Sequence, residues 1–227
     1  MSEIKNMKVG VSILTLDKFE AVEQVLQDIL PINRPREIVI TCNSVIPKSQ
    51  IVKFYEYDKD IRIVEFGQNI GYVKAHNNAF SFIRSDVFVV MNDDIRVLDK
   101  NWANIVVEPF VDDDVVLSGP RLAGRKIRAD GWPMKPGSGN DYVEGSFLVV
   151  RTSWALAHGL FSEDFSPLYF EDTDLAMRVK EDGKKIVLVN VPYTHEGKAT
   201  VKDMDWKQIA TEHHRLFMYK WKHMLKS

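Results

Sequence analysis

Two hydrophobic rhythms alternate through the first half of the chain. Residues 9–16 form an apolar run, and Phe19, Val22, Val25, Leu26 and Ile29 then recur at helical spacing until Pro31 stops the pattern. The alternation continues with a strand over 37–41, a helix over 51–57, a strand over 61–66 and a turn at Asn69-Ile70-Gly71. A helix over 73–83, carried by Ala75, Ala79, Phe82 and Ile83, leads into a strand over 87–91. Strands of this kind, separated by helices, imply right-handed strand–helix–strand units in a sheet covered on both faces. The predicted class is α/β, with a mostly parallel central sheet flanked by helices.

The rhythm loosens after residue 95. A helix over 102–110 and a strand over 115–118 precede a Gly- and Pro-rich stretch, 123–141, that reads as a long loop. Long loops in folded domains tend to be functional or mobile. A strand over 147–151, a helix over 171–181 closed by Gly183, and a last strand over 185–191 follow. Trp206, Ile209, Ala210, His213, Phe217, Lys220, Trp221 and Met224 then mark one face of a C-terminal amphipathic helix. The chain thus reads as one domain, with a first half (1–95) that could hold a nucleotide, a second (96–200) that could complete a site, and a C-terminal helix (201–227).

Composition narrows the setting. With 227 residues and 45% hydrophobic content the chain can bury a full core as one domain. A net charge of −2 supplies no general attraction to nucleic acid, and no stable nucleic-acid partner is expected. The single cysteine, Cys42, excludes an intrachain disulfide and a Cys-rich zinc site, and fits a reducing compartment. Residues 1–8 lack the apolar core of a secretory signal, and no window approaches the ~20 apolar residues of a membrane span. The expected location is cytoplasmic.

Three separated pieces carry candidate chemistry. The strand over 87–91 stops abruptly on Asn92-Asp93-Asp94, which sets negative charge at the carboxyl edge of the sheet, where open α/β folds hold ligands. Neighbouring acids repel unless a cation lies between them, so Mg2+ or Mn2+ carrying a sugar-nucleotide diphosphate is preferred over a merely acidic turn. Glu171-Asp172-Thr173-Asp174 opens a helix, and Asp172 shares a face with Leu175 and Val179, whose packing would aim its carboxylate at an attacking hydroxyl. Helix capping is the competing role, and it accounts for some of these acids. His195, after the last strand, is a candidate third ligand to the cation.

The order of these motifs resembles family 2 glycosyltransferases of the Rossmann-like GT-A fold, in particular the rhamnosyltransferase-like group. The pieces are the Val11-Ser12-Ile13-Leu14-Thr15 strand, Asn69-x-Gly71-Tyr72-x-x-Ala75-x-Asn77, and Asn92-Asp93-Asp94 in place of a DxD motif. Glu144-Gly145-Ser146-Phe147, Phe170-Glu171-Asp172-x-Asp174-Leu175 and His195-x-Gly197 complete them, spanning roughly residues 9 to 200. The resemblance implies an inverting transfer of a hexosyl or deoxyhexosyl group from a nucleoside-diphosphate sugar, with polysaccharide biosynthesis as the setting. Asp172 would be the general base, and Asp94 and His195 would hold Mn2+ or Mg2+. It also implies that Asp93, Asn92, Thr15, Asp17 and Asn43 lie near the donor nucleotide. Asn69, Gly71, Asn77, Gly145 and Glu171 would line the donor side. A UDP- or dTDP-sugar is the expected donor, and a glycan or lipid-linked molecule the expected acceptor.

Two positions depart from the family pattern. Thr41-Cys42-Asn43-Ser44 stands where the family carries an acid after its second strand, and the first strand ends in Leu16-Asp17 rather than Tyr-Asn. Both fall in the nucleobase pocket, so the donor nucleotide is left open. Trp132, central in the 123–141 loop, is the candidate acceptor-side residue, since aromatic rings stack on sugar faces. The basic C-terminal helix has two readings: a peripheral membrane contact through 206–227, or packing on the core, which is preferred. A non-catalytic sugar- or nucleotide-binding domain is the main rival. A nucleotidyltransferase ranks lower, because Leu16-Asp17-Lys18-Phe19-Glu20 lacks the glycines of a phosphate loop.

Overall fold

The computed structural model describes residues 6–31, 36–197 and 205–225. Its first half alternates as the pattern predicts: β1 (Val9–Thr15), α1 (Phe19–Ile29), β2 (Arg36–Cys42), α2 (Lys48–Tyr57), β3 (Arg62–Glu65), α3 (Tyr72–Ser81) and β4 (Val87–Asn92). Helix α1 buries Val22, Val25, Leu26 and Ile29, the stripe its spacing announced. Strand β4 is buried from Val87 to Met91, as a strand covered on both faces must be.

The second half holds β5 (Ile95–Val97), α4 (Trp102–Val107), β6 (Val115–Pro120), β7 (Gly124–Arg125), β8 (Tyr142–Val143), β9 (Phe147–Arg151) and α5 (Thr152–His158). Then come α6 (Glu171–Glu181), β10 (Lys185–Val189), β11 (Tyr193–His195) and α7 (Trp206–Trp221). Seven strands form the main sheet in the order β10-β6-β9-β4-β1-β2-β3. Strand β9 runs against both β4 and β6, and the other pairings are parallel. One apolar core runs through both halves of the chain, from Val11, Ile13 and Ile40 to Leu148, Val149 and Val179.

Several elements differ from the sequence pattern. The 123–141 stretch is tied back on itself: β7 pairs with β8, and Arg128 N–H and Met134 N–H donate to the Trp132 and Lys126 carbonyls at 2.9 and 2.8 Å. Its segments are too short for periodicity to register, which is why they read as loop. The same holds for β5 and β11, three residues each, and α5 was not anticipated. His195 follows β10 as expected and itself ends the short β11.

Two contacts outside the sheet bear on the site. Gly71 opens α3 at φ 87°, and a Cβ there would stand 2.6 Å from Pro167 Cβ, so the Asn69–Gly71 turn lies directly against the segment leading to α6. Helix α7 buries Ala210, His213, Phe217 and Trp221, and Phe217 and Trp221 pack with Phe165, Phe170 and Met177. Its apolar face is therefore covered by protein, although Trp206 stays 46% exposed. No described helix is long and apolar enough to cross a membrane.

Asp174 fastens α7 to α6. Fully buried, it accepts from Trp221 Nε1 at 2.9 Å and pairs with Lys220 at 2.7 Å and Arg178 at 3.0 Å. Removing one partner of a buried pair strands the others. Asp174→Ala should therefore destabilise the protein by about 3 kcal/mol, the low end for such a loss because Lys220 and Arg178 can turn toward water. Urea unfolding measures it; a loss within experimental error would show that the cluster holds nothing together.

Candidate functional site

Strand ends and one helix start converge at the carboxyl edge of the sheet. Strand β1 delivers Thr15 and the exposed Asp17, β2 delivers Asn43, and β4 delivers Asn92, Asp93 and Asp94. Because β9 runs antiparallel to β4, its beginning lies at this same edge. Met91 is paired with Phe147, and Asn92 N–H donates to the Ser146 carbonyl at 3.0 Å. That brings Gly145 beside the acids.

The β5–β11 ribbon brings in the histidine. Ile95 pairs with His195, Glu196 N–H donates to the Asp94 carbonyl at 3.2 Å, and His195 Nε2 lies 3.2 Å from Asp94 Oδ1. The Asp94 carboxylate at this distance raises the His195 pKa above its ordinary value, although the approach is not aligned as a hydrogen bond and leaves Asp94 Oδ1 without one among the described residues. Burial works to raise Asp94, but His195 beside it holds it below the usual carboxylate range. Asp93 differs: burial pushes it up to about 6, against a hydrogen bond from Thr15.

These residues suit a hard divalent cation. Asp93 Oδ2 is buried with no hydrogen-bond partner among the described residues, so an electropositive partner would relieve it. Among the described residues no three His, Cys, Asp or Glu side chains form a closed metal cage. An open set led by Asp94 and His195 is what Mn2+ or Mg2+ sites show when phosphate oxygens and water complete the shell.

Asp172 stands at the start of α6. Its Oδ2 accepts from Gly145 N–H at 3.0 Å and its Oδ1 from Thr173 N–H at 2.7 Å, so the carboxylate is held at both oxygens. Burial pushes Asp172 up to about 6, opposed by those two bonds. Glu171 is raised well above its ordinary value, first by burial and then by the charge of Asp172.

Two chambers meet at Asp172. The larger, about 630 Å3, is walled by Asn92, Asp94, His195, Gly145, Glu144 and Asp172. The smaller, about 300 Å3, is lined by Trp132, Tyr142, Tyr169, Phe170, Trp206 and Asp172. Arg125, Glu144, Tyr169 and Glu171 border both. Trp132 is fixed by stacking on His214, ring centroids 4.4 Å apart, and by the edge of Phe170.

Other candidates serve the frame. Asn43 Nδ2 donates to Asn69 Oδ1 at 3.1 Å and to the Gly71 carbonyl at 3.3 Å, and Asn69 Oδ1 also accepts from Gly71 N–H at 2.9 Å. These amides shape the turn that opens α3. Asn77 donates to the Phe161 carbonyl at 2.9 Å and accepts from Phe161 N–H at 3.1 Å, and it lines neither chamber. A Cβ on Gly145 would stand 2.6 Å from Tyr72 Oη, the hydroxyl that donates to the Gly145 carbonyl at 2.7 Å. The glycine is thus required by Tyr72 packed beneath it.

Comparison with known proteins gives the chain a family. The family model for glycosyl transferase family 2 matches residues 13–159. The chain belongs to glycosyl transferase family 2. A comparison with curated proteins finds no match by sequence. Among solved structures, the mannosyltransferase PcManGT from Pyrobaculum calidifontis, in complex with GDP-Man and Mn2+, superposes with a TM-score of 0.70 at 15% identity. The match covers 95% of this chain and 64% of that one. GalNAc-T7 with UDP, GalNAc and Mn2+ gives a TM-score of 0.72 at 12% identity, covering 84% of this chain and 44% of that one. At such identities the likeness shows the fold, which is GT-A, and this family 2 chain is shorter than either neighbour.

The matched stretch includes Asp94 and Gly145 but ends before Asp172 and His195, whose placement beside it comes from α6 and the β5–β11 ribbon. Sequence reasoning passed over the Arg125–Glu144 pair, 2.6 Å apart, and Tyr72. Glu144 and Tyr72 lie inside quoted motifs and could have been weighed. Arg125 sits in an aperiodic stretch that offered no signal.

Proposed function

We propose that the chain is a metal-dependent inverting glycosyltransferase that moves a sugar from a nucleoside diphosphate to a hydroxyl, with Asp172 as general base. The observation that carries this is the position of Asp172. It stands between a chamber containing Asp94 and His195 and an aromatic chamber containing Trp132, with both of its oxygens held by backbone N–H groups. A base must reach the acceptor hydroxyl where that hydroxyl meets the donor sugar, and a wall shared by the two chambers is the place for it.

In this reading the donor lies in the larger chamber, its nucleotide toward Thr15, Asp17 and Asn43 and its diphosphate toward Asp93 and Asp94. Asp94 and His195 would hold Mn2+ or Mg2+, which when bound neutralises the diphosphate as it leaves. Glu171, beside Asp172 on the wall of that chamber, would face the donor sugar. Asp172 takes the acceptor proton as the hydroxyl attacks the anomeric carbon from the face opposite the leaving group, so the configuration inverts. The nucleotide-sugars and Mn2+ named for the two structural neighbours support the donor class and the metal. UDP or dTDP remains the proposed nucleotide and a glycan or lipid-linked molecule the acceptor. The covered face of α7 lends no support to membrane contact.

The test is calorimetry of UDP, dTDP, GDP and CDP, each with Mn2+ and with EDTA. Metal-dependent binding of one of them supports the transferase and names the donor. Binding of none favours a non-catalytic GT-A domain. Once an acceptor is in hand, Trp132→Ala should raise its KM about tenfold, the equivalent of ~1.4 kcal/mol of stacking, with donor affinity unchanged. An unchanged acceptor KM would remove Trp132 from the acceptor site.

A further inference from the structure

We propose that His213 is a positioning residue for Asp172, its imidazole holding the turn from which the helix bearing the base departs; this rests on the reading of Asp172 as that base. Tyr169 and Phe170 have φ of 74° and 70°. Bulky residues rarely adopt this left-handed conformation, and it persists only where neighbours impose it. Two such residues in succession, directly before Glu171 and Asp172, need an external hold.

Helix α7 supplies it. His213 Nδ1 lies 3.0 Å from the carbonyl oxygens of both Leu168 and Tyr169. Carbonyls only accept, so Nδ1 carries a proton and donates to both in a forked bond. The residue is buried, and its ring stands edge-on to Phe165 at 5.6 Å. The next carbonyl, that of Phe170, accepts from Thr173 Oγ1 at 2.9 Å and Asp174 N–H at 2.8 Å. Three successive carbonyls are thus fixed, two by His213 and one by α6 itself.

The docking of α7 does not depend on these bonds, because Asp174, Trp221 and Phe217 secure it further along. What His213 adds is the direction of the peptides ahead of α6. Rotation of those peptides would swing the first turn and part Asp172 Oδ2 from Gly145 N–H.

The test uses the full chain as wild type, His213→Ala, His213→Asn and Asp172→Asn. Mn2+-dependent hydrolysis of UDP-glucose, dTDP-glucose and GDP-mannose is followed, with water in place of the acceptor, alongside calorimetry of the matching nucleotide. His213→Ala should lower kcat on the best-hydrolysed donor about tenfold or more, since a ~1 Å misplacement of a catalytic group can cost ~10²-fold. Nucleotide affinity should not change. His213→Asn, whose side-chain amide offers N–H donors near the position of Nδ1, should recover most of the rate. Wild-type kcat in His213→Ala, a parallel loss of nucleotide affinity, or no recovery in a folded His213→Asn would each overturn the proposal. Asp172→Asn separates the two ideas. If it hydrolyses donor normally, the base reading fails and the positioning role with it; if it is inactive while His213→Ala is active, only the positioning role fails. Amide hydrogen exchange over residues 168–174 gives a readout that needs no turnover: faster exchange in His213→Ala with β4 unchanged is expected, and unchanged exchange overturns the proposal.

Discussion

Asp172→Asn is expected to lower turnover by about 10²–10⁴, the range for losing a general base, while leaving metal-dependent nucleotide binding intact. The amide keeps the size of the carboxylate, and its oxygen can still accept from Gly145 or Thr173, so the start of α6 is preserved. What disappears is a group able to take a proton near neutral pH. The wild type carries a matching signature. Asp172 is pushed up to about 6 by burial, and a base works deprotonated. The rate should therefore fall as pH drops through about 6 and level off above it, and the residual rate of Asp172→Asn should lack that limb. Steady-state kinetics across this range checks both statements. A variant with wild-type turnover, or one that keeps the acidic limb, would assign the base elsewhere.

Asp94→Ala should abolish the metal dependence of nucleotide binding. Truncating one member of a buried charged pair costs about 3 kcal/mol, roughly two orders of magnitude in Kd. EDTA added to the wild type should produce the same loss, and EDTA added to Asp94→Ala should produce little more, because both remove one interaction. His195→Ala should fall between, since Asp94 and Asp93 remain. Calorimetry with and without Mn2+ measures the series. Full metal-dependent affinity in Asp94→Ala would place the cation on other residues.

The pKa pattern around these acids splits one residue type in two directions. Asp94, beside His195, is held low, which suits its proposed place at a cation. Asp172 and Glu171 are buried together and both raised, the direction that suits Asp172 as the proposed base. Aspartates of identical chemistry thus diverge through their neighbours, and a linear sequence cannot display neighbours brought from other elements.

Much was nonetheless legible in the chain. The stripe of α1, the buried run of β4 and the alternation through residue 95 follow from periods of 3.6 and 2.0, which are local properties of a backbone facing a core. The carboxyl-edge position of Asn92-Asp93-Asp94 followed from the end of an apolar run, and α6 from Leu175 and Val179. The resemblance to family 2 glycosyltransferases rested on the order of short motifs, and the family model bears it out. By itself, then, the sequence determined the α/β layering, the family and which acids stand at element ends.

The tertiary structure decided the rest. Only antiparallel β9 puts Gly145 beside Asn92 and under Asp172, and only the short β5–β11 ribbon carries His195 to Asp94. Only the packing of α7 turns His213 onto the carbonyls before Asp172 and His214 onto Trp132. Each is a long-range pairing made by segments too short, or too irregular, to leave a period in the chain. Local periodicity reports which face of an element is buried; what that face meets is fixed only when the elements close on one another.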